Sequence, residues 1–115
     1  MASPPVTPVG SGDDIIHQPH RLRMVAALEA EGGPLDFATL KAISGATDGN
    51  LGAHLKALEA AGYITVTKEA IGRRSRTWAA LTAQGKAAFR AHVAFLQDIL
   101  NQPLRGDGQA EGGKT

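Results

Sequence analysis

The stretch KEAIGRRSRTW, residues 68–78, holds four cations within nine positions and a single acid, Glu69. The cations are Lys68, Arg73, Arg74 and Arg76. Side chains of this kind follow a phosphate backbone, and a guanidinium group can also enter a narrow minor groove of DNA. The stretch therefore indicates contact with a polyanion. The alternative is an exposed loop whose arginines keep a strand edge from pairing with neighbours.

The overall charge of the chain does not explain this cluster. The 115 residues include 12 Lys and Arg against 11 Asp and Glu, a formal net charge of +1. Attraction to a polyanion must therefore come from where the charges lie. There is no cysteine, which excludes disulfides and thiolate metal sites and is compatible with a reducing cytoplasm. No apolar run approaches the roughly 18 residues of a membrane span, so we expect a cytoplasmic protein.

Catalytic and metal chemistry find little support in the sequence. No Gly-rich phosphate loop occurs, and no Ser or His lies in a recognisable nucleophile setting, so we do not expect an enzyme. His17 and His20 have H-x-x-H spacing, but Pro19 lies between them and no second ligand pair is evident. We therefore expect no metal site and no cofactor.

The ends of the chain differ from its middle. Residues 1–12 are mostly Pro, Gly, Ser and small apolar residues, and residues 102–115 are Gly-rich and polar. Neither segment can bury enough apolar area to offset its ordering entropy, so both are predicted to be disordered tails. Residues 13–101 form one patterned domain without an internal repeat.

Three helices are predicted in the first part of this domain. The first begins at Pro19 and ends at the pair Gly32-Gly33, and the second, FATLKAISG, ends at Gly45. The third, residues 47–61, has Thr47 as an N-cap, with Leu51, Leu55 and Leu58 as its buried stripe. Two helices joined by a short glycine-containing turn, the second one capped, are the parts of a helix-turn-helix.

A β-hairpin and a long helix are predicted to follow. YITVTK alternates as a half-buried strand, TWAAL is a second strand, and the basic segment 68–76 lies at the hairpin tip around Gly72. Thr82 then caps a helix that continues to Asn101. The predicted fold is mainly α with a small β-hairpin, a winged helix-turn-helix with a three-helix core, a wing and a long C-terminal dimerisation helix.

The segment LGAHLKALEAAGYITVTKEAIGRRSRTWAALTAQGKAAF resembles the core of small MarR- and ArsR-like winged-helix transcriptional regulators of bacteria and archaea. IHQPHRLRMVAAL resembles the opening helix of the same group. The resemblance covers roughly residues 15–100. It implies that the third helix enters the DNA major groove, that the wing touches the backbone or minor groove, and that the terminal helices pair two subunits.

Helical geometry selects the residues that face away from the leucine stripe. The predicted DNA-contacting residues of the third helix are Thr47, Gly49, Asn50, Ala53 and Lys56, and those of the wing are Lys68, Arg73, Arg74 and Arg76. Small residues allow the helix to lie deep in the groove, and the alternative is that Gly49 and Gly52 relieve crowding against the second helix. Asp48 is interpreted as a capping residue, and His54 as a structural one.

The last helix has two apolar stripes side by side, of which one can pack on its own domain. The predicted dimer-interface residues are Phe89, His92, Val93, Phe95, Leu96, Ile99 and Leu100. The alternative is that both stripes are buried within one chain. A symmetric dimer would bind a palindromic operator with half-sites about one DNA turn apart.

The function predicted from these features is sequence-specific binding of double-stranded DNA by a homodimeric transcriptional regulator, with repression as the expected mode. A small-molecule effector is an expected partner, and its identity is unknown. The alternative is a winged-helix module that binds proteins or serves in assembly without specific DNA binding.

Overall fold

A computed structural model describes residues 13–102 of the chain. Its elements, in chain order, are α1 (Asp14–His17), α2 (Pro19–Glu31), β1 (Leu35–Asp36), α3 (Phe37–Ser44), α4 (Asp48–Ala60), β2 (Ile64–Ile71), β3 (Arg74–Leu81) and α5 (Ala83–Asn101). The predicted order of three helices, hairpin and long helix is confirmed, with α1 and β1 in addition. The predicted tails, 1–12 and 102–115, lie outside the described residues except for Gln102. No helix in this part of the chain is long and apolar enough to cross a membrane.

The helix ends follow the signals in the sequence. Pro19 occupies the first turn of α2, and the left-handed backbone of Gly32, with φ 75°, closes that helix. The Thr47 hydroxyl accepts the Asn50 N–H at 3.3 Å, and the Thr82 hydroxyl accepts the Gly85 N–H at 2.9 Å. Each hydroxyl satisfies a backbone donor that has no partner within its helix.

The hairpin is longer than predicted and belongs to a three-stranded sheet. The strand order is β1-β3-β2, with Leu35 opposite Ala79, so Leu35–Asp36 is a paired edge strand. The ladder between β2 and β3 continues to the pair Ile71 and Arg74. Only two residues connect these strands, and Gly72, with φ 62°, provides the positive φ that such tight turns require.

The core lies between α2, α3, α4 and the inner face of the sheet. Its buried apolar residues include the predicted stripe of α4, and the cluster comprises Met24, Val25, Leu28, Leu40, Ala46, Leu51, Leu55, Leu58, Ile64 and Ala79. Ile43, although it follows Leu40 at helical spacing, is 38% exposed and does not join this cluster. Ser44 is buried in α3 instead, where its hydroxyl accepts the Ala46 N–H at 3.2 Å. This buried hydrogen bond stabilises the turn between α3 and α4.

Gly85 sets the distance between the start of α5 and the sheet. A Cβ added there would lie 2.1 Å from the backbone oxygen of Tyr63 and 2.9 Å from Leu81 Cδ1. The Thr82 N–H also donates to the Tyr63 carbonyl at 3.0 Å, so the two backbones are in direct contact. Any side chain at this position must push α5 away from β2.

We expect Gly85→Ala to lower the free energy of unfolding by about 2 kcal/mol or more, since overpacking against a backbone atom cannot be relieved by a rotamer change. Gly52→Ala is the matched control, because an added Cβ there meets no atom within 4 Å. That control should gain about 1 kcal/mol from helix propensity. Urea unfolding followed by circular dichroism measures both variants. Equal midpoints for Gly85→Ala and the unchanged protein would contradict this account.

Candidate nucleic-acid interface

The predicted contact residues of α4 lie together on one exposed face. The face opposite the leucine stripe contains Thr47, Gly49, Asn50, Ala53 and Lys56, all of them exposed. Apart from Lys56, none of them has a long side chain, so the backbone of α4 is accessible along two turns. A surface of this shape can approach base edges closely.

The two glycines of α4 are not explained by packing. An added Cβ at Gly49 or at Gly52 would meet no atom within 4 Å. The alternative that they relieve crowding against the neighbouring helix is therefore wrong. Because glycine in a helix interior costs about 1 kcal/mol relative to alanine, the exposed face retains a residue type that destabilises its own helix.

Asp48 is paired with a cation that the sequence analysis did not select. Lys41 Nζ lies 2.7 Å from Asp48 Oδ1, which joins the last turn of α3 to the first turn of α4. The pair offsets the one negative charge beside the exposed face. Asp48 also lies in the first turn, at the positive end of the α4 dipole, but the N-cap is Thr47, so the interpretation of Asp48 as a capping residue is wrong. Lys41 follows no motif, and only the folded contact identifies it.

Two arginines of α2 are engaged inside the fold. Arg21 Nε donates to His54 Nδ1 at 3.1 Å, and an Arg23 guanidinium nitrogen donates to the Ser44 carbonyl at 3.2 Å. His20 Nδ1 lies 2.7 Å from the same carbonyl oxygen. Partial burial, followed by the charges of Arg21 and His20, lowers the pKa of His54 below its usual range. His54 is thus a structural residue that anchors α4 to α2.

The wing cations lie on strands as well as at the tip. Only Arg73 belongs to the turn, while Lys68 is on β2 and Arg74 and Arg76 are on β3. Lys68 was already part of the predicted strand YITVTK, but the hairpin tip is shorter than the predicted segment 68–76, because both strands extend further towards Gly72. Since side chains alternate along a strand, Arg74 and Arg76 share one face of the hairpin.

Among the described residues, the four wing cations form no ion pair with an acidic side chain. Within residues 13–102, the ion pairs are Lys41–Asp48 and Arg90–Glu29. All four wing cations are exposed. Their concentration on one projecting hairpin produces a local positive field despite the net charge of +1.

Trp78 belongs to the outer face of the hairpin. Its indole N–H donates to Glu69 Oε1 at 3.1 Å, and the Arg76 guanidinium carbon lies 5.7 Å from the ring centroid. In the single chain Trp78 is half-buried. Arg76 is fixed by this cation–π contact, whereas Arg73 and Arg74 at the tip project further from the core.

The chain itself covers part of the predicted dimer surface of α5. His92 is 1% exposed because the segment Asp13–His17 lies over it, and Phe89 packs against the core. Towards the end of the helix the apolar residues emerge, with Ile99 47% and Leu100 82% exposed. Val93, Phe95 and Leu96 are half-buried between these two regions.

Comparison with known proteins agrees with this geometry. Residues 20–100 match the family described as winged helix DNA-binding domain, and the chain belongs to this family. An uncharacterized protein of Methanocaldococcus jannaschii is 38% identical over 58 residues, which are 50% of this chain and 63% of that protein. The chain thus spans less than two thirds of the length of that relative.

Solved structures share the fold. The transcriptional regulator homologue of Pyrococcus horikoshii OT3 has a TM-score of 0.65 and 26% identity, and the alignment covers 76% of this chain and 85% of that one. The heme sensor protein PefR of Streptococcus agalactiae, in complex with heme, has a TM-score of 0.61 and 17% identity, covering 75% of this chain and 59% of that one. The winged-helix prediction and the resemblance to small transcriptional regulators are confirmed.

The N-cap of α4 provides a test of how its exposed face is held. We expect Thr47→Ala to lower the free energy of unfolding by about 1 kcal/mol, because the Asn50 N–H loses its acceptor. Thr47→Ser retains the hydroxyl and should unfold near the midpoint of the unchanged protein. Denaturant titration compares the three proteins, and equal losses in both variants would mean that the hydroxyl does not cap the helix.

Proposed function

We propose that this protein is a transcriptional regulator that binds a specific sequence of double-stranded DNA, with α4 in the major groove and the wing on the backbone or minor groove. The observation that carries the proposal is the pairing of an uncrowded, glycine-containing face on α4 with a hairpin whose exposed cations have no described ion-pair partner. Binding of chromosomal DNA places the protein in the cytoplasm and requires no catalytic step.

Different residues are assigned to reading and to positioning. Asn50, near the start of α4, offers an amide that can bond to adenine in two places, and Lys56 one turn and a half later supplies a cation. Gly49 and Ala53 allow close approach, and Ala53 can pack against a thymine methyl group. The wing residues Lys68, Arg73, Arg74 and Arg76 contact phosphates and so hold the register of α4 without reading sequence.

The proposed functional unit is a homodimer formed through α5. The apolar residues that remain accessible are Val93, Phe95, Leu96, Ile99 and Leu100. Exposed large apolar side chains at the end of a helix lose solvent contact when a second copy of the helix packs on them. Twofold symmetry would place the two α4 helices on half-sites about one DNA turn apart, and hence on a palindromic operator. A dimer on a promoter would act as a repressor by excluding polymerase.

A small-molecule effector is also proposed. The heme complex of PefR shows that a protein of this fold can hold a ligand. Between α2, β3 and α5 the cavity here is about 180 Å³, below the usual range of ligand pockets. A groove of about 610 Å³ lies between the start of α3 and the wing, lined by residues that include Phe37, Ile71 and Arg74. An effector bound there would change the position of the wing directly.

Selection of duplexes from a random-sequence pool, near physiological salt and with the mass of the complex measured, tests this function. A recovered palindrome bound by two chains supports it. Weak binding that has no sequence preference and disappears with salt would instead support the alternative, a module that recognises acidic protein surfaces.

We expect Arg73→Ala and Arg74→Ala each to weaken duplex binding and to reduce the slope of log affinity against log salt by about one for each phosphate contact removed. Arg90→Ala is the matched control, because it removes an equal charge whose partner is Glu29 on the other side of the fold. Fluorescence anisotropy at several salt concentrations measures the slopes. If both wing variants bind as the unchanged protein does, the wing does not contact DNA.

The dimer is tested by charge on the exposed end of α5. We expect Leu100→Glu to convert the dimer to a monomer and to weaken operator binding, because a buried unpaired carboxylate opposes association. Ala94→Glu adds the same charge on the opposite side of the helix and should leave the dimer intact. Analytical ultracentrifugation gives the masses. A dimer of unchanged affinity with Leu100→Glu would exclude this surface.

A further inference from the structure

The short segment Asp13–His17 is joined to α5 by a chain of hydrogen bonds. The Asp13 N–H donates to His92 Nδ1 at 3.1 Å, and His92 Nε2 lies 3.2 Å from His17 Nδ1. On the other side, the Tyr63 hydroxyl donates to Asp13 Oδ2 at 2.6 Å. These contacts join residues 50 to 79 positions apart in the sequence.

The bonding partners determine where the ring protons lie. A backbone N–H can only donate, so His92 Nδ1 must be the acceptor and carries no proton. The proton of neutral His92 is therefore on Nε2, which donates to His17 Nδ1. Both histidines are neutral in this arrangement, and each uses its Nδ1 lone pair.

A metal ion between the two rings does not fit the same contacts. Two histidine nitrogens 3.2 Å apart have the spacing of a ligand pair, but a ring that binds metal through Nε2 carries its proton on Nδ1 and donates it. Here Nδ1 of His92 faces the Asp13 N–H, which is itself a donor. Moreover, residues 13–102 contain no group of three or more potential ligands placed to hold a metal.

Charging His92 is opposed by its surroundings. The cation would place an N–H on Nδ1, directly against the N–H of Asp13, and a second charge on His17 would face it across 3.2 Å. The ring of Phe95 packs beside it, with the centroids 5.5 Å apart. The Asp13 carboxylate favours the charge, but its oxygens already accept from Tyr63 and from the Ile15 and Ile16 amides. Further along the contact between α2 and α5 lies the Glu29–Arg90 ion pair.

The pKa directions agree with this geometry. Burial is the main reason that the pKa of His92 is lowered from its ordinary 6.5; His17 lowers it further and Asp13 partly offsets both. The Asp13 hydrogen bond raises the pKa of Tyr63 to about 12, so that hydroxyl remains a donor throughout the acid range. Because the folded pKa of His92 is below the unfolded one, its contribution to stability is complete above pH 6.5 and is lost as pH falls through the folded pKa.

We propose that the contact between the segment Asp13–His17 and α5 is an acid-sensitive connection, in which protonation of His92 releases the segment from α5. The released segment would uncover Ile16, which is fully buried in the folded chain. It would also remove the Ile15 carbonyl that accepts from Arg21 at 3.4 Å, and Arg21 is the residue that anchors His54 of α4. Acid therefore lowers the affinity for the operator, an inference that rests on the proposed DNA-binding function.

His20 provides the internal comparison. Its Nδ1 faces the Ser44 carbonyl oxygen, which can only accept, so His20 is the donor. Protonation of His20 adds a proton on Nε2 and keeps this bond. Protonation therefore breaks the contact of His92 with Asp13 and leaves the contact of His20 with Ser44 in place.

Nuclear magnetic resonance of the full chain tests the proposal between about pH 8 and about pH 5. Ring nitrogen shifts should place the proton of His92 on Nε2 at the higher pH. Exchange protection of the Asp13 and His17 amides, corrected for intrinsic rates, should fall with acid. The total fall should be about tenfold for each unit by which the pKa of His92 differs between the bound and the released segment. Protection should fall equally in His20→Asn but not in His92→Asn, whose side-chain oxygen can accept from Asp13 without titrating. A proton on Nδ1 at the higher pH, or protection that acid leaves unchanged, would overturn the proposal.

The variant His17→Asn distinguishes a purely structural role of this contact from a response to protonation. The Asn side-chain oxygen can still accept from His92 Nε2–H, but the substitution removes the ring that, once protonated, lowers the pKa of His92. We expect release of the segment at a higher pH than in the unchanged protein. A purely structural contact would lose protection at every pH instead, and that result also contradicts the proposal.

Duplex binding measured on the same samples distinguishes the two hypotheses. Acid release of the segment in a protein that binds no duplex at any pH would contradict the proposed function and leave the connection in place. Operator binding that is equally tight at both pH values, while the segment is released, would show that the connection does not regulate α4.

Discussion

Burial of one leucine stripe of α4 is the interaction on which the rest of the structure depends. Leu51, Leu55 and Leu58 are almost fully buried against α2 and the sheet, and their apolar area contributes several kcal/mol at roughly 25 cal/mol per Å². Because the helix repeats every 3.6 residues, this burial determines which residues lie on the opposite side. The exposed face of small and polar residues is a direct consequence of the core.

Packing energy of this size explains how α4 can retain two glycines that no close contact requires. Gly49 and Gly52 lower its helix propensity by about 1 kcal/mol each and gain nothing in packing. Three further contacts stabilise α4, namely the Thr47 cap, the Lys41–Asp48 ion pair and the hydrogen bond from Arg21 to His54. A face that would be unfavourable in an isolated helix is thus maintained by contacts made elsewhere on it.

The sequence was sufficient for features that rest on local chemistry or on regular spacing. The caps at Thr47 and Thr82 and the leucine stripe depend on residues a few positions apart, and all were predicted correctly. The outer part of the hairpin was underestimated because residues 68–71 are exposed on both faces and show no alternation of apolar and polar residues. Its extent is set by pairing with β3, which local sequence does not encode.

The contacts of α1 could not be predicted from the sequence, for a related reason. A helix of four residues has no periodic pattern, and the partners of Asp13 are Tyr63 and His92, far along the chain. Sequence periodicity placed His92 on an apolar stripe and could not say what covers it. The glycine alternatives also required coordinates, since crowding is a property of neighbouring helices and not of spacing.

The position of α1 shows which part of the α5 stripes the chain itself covers. The segment Asp13–His17 occupies the part of the helix around His92, and the core occupies the part around Phe89. The large apolar side chains of α5 become exposed only towards its C-terminal end, where Ile99 is 47% and Leu100 82% exposed. In the proposed dimer, a second copy would pack near the end of α5, close to the α1 contact but not over it. In such an arrangement α1 would contact Arg21, which anchors α4, and would border the proposed dimer surface of α5, so one short segment would lie between the two proposed functional helices.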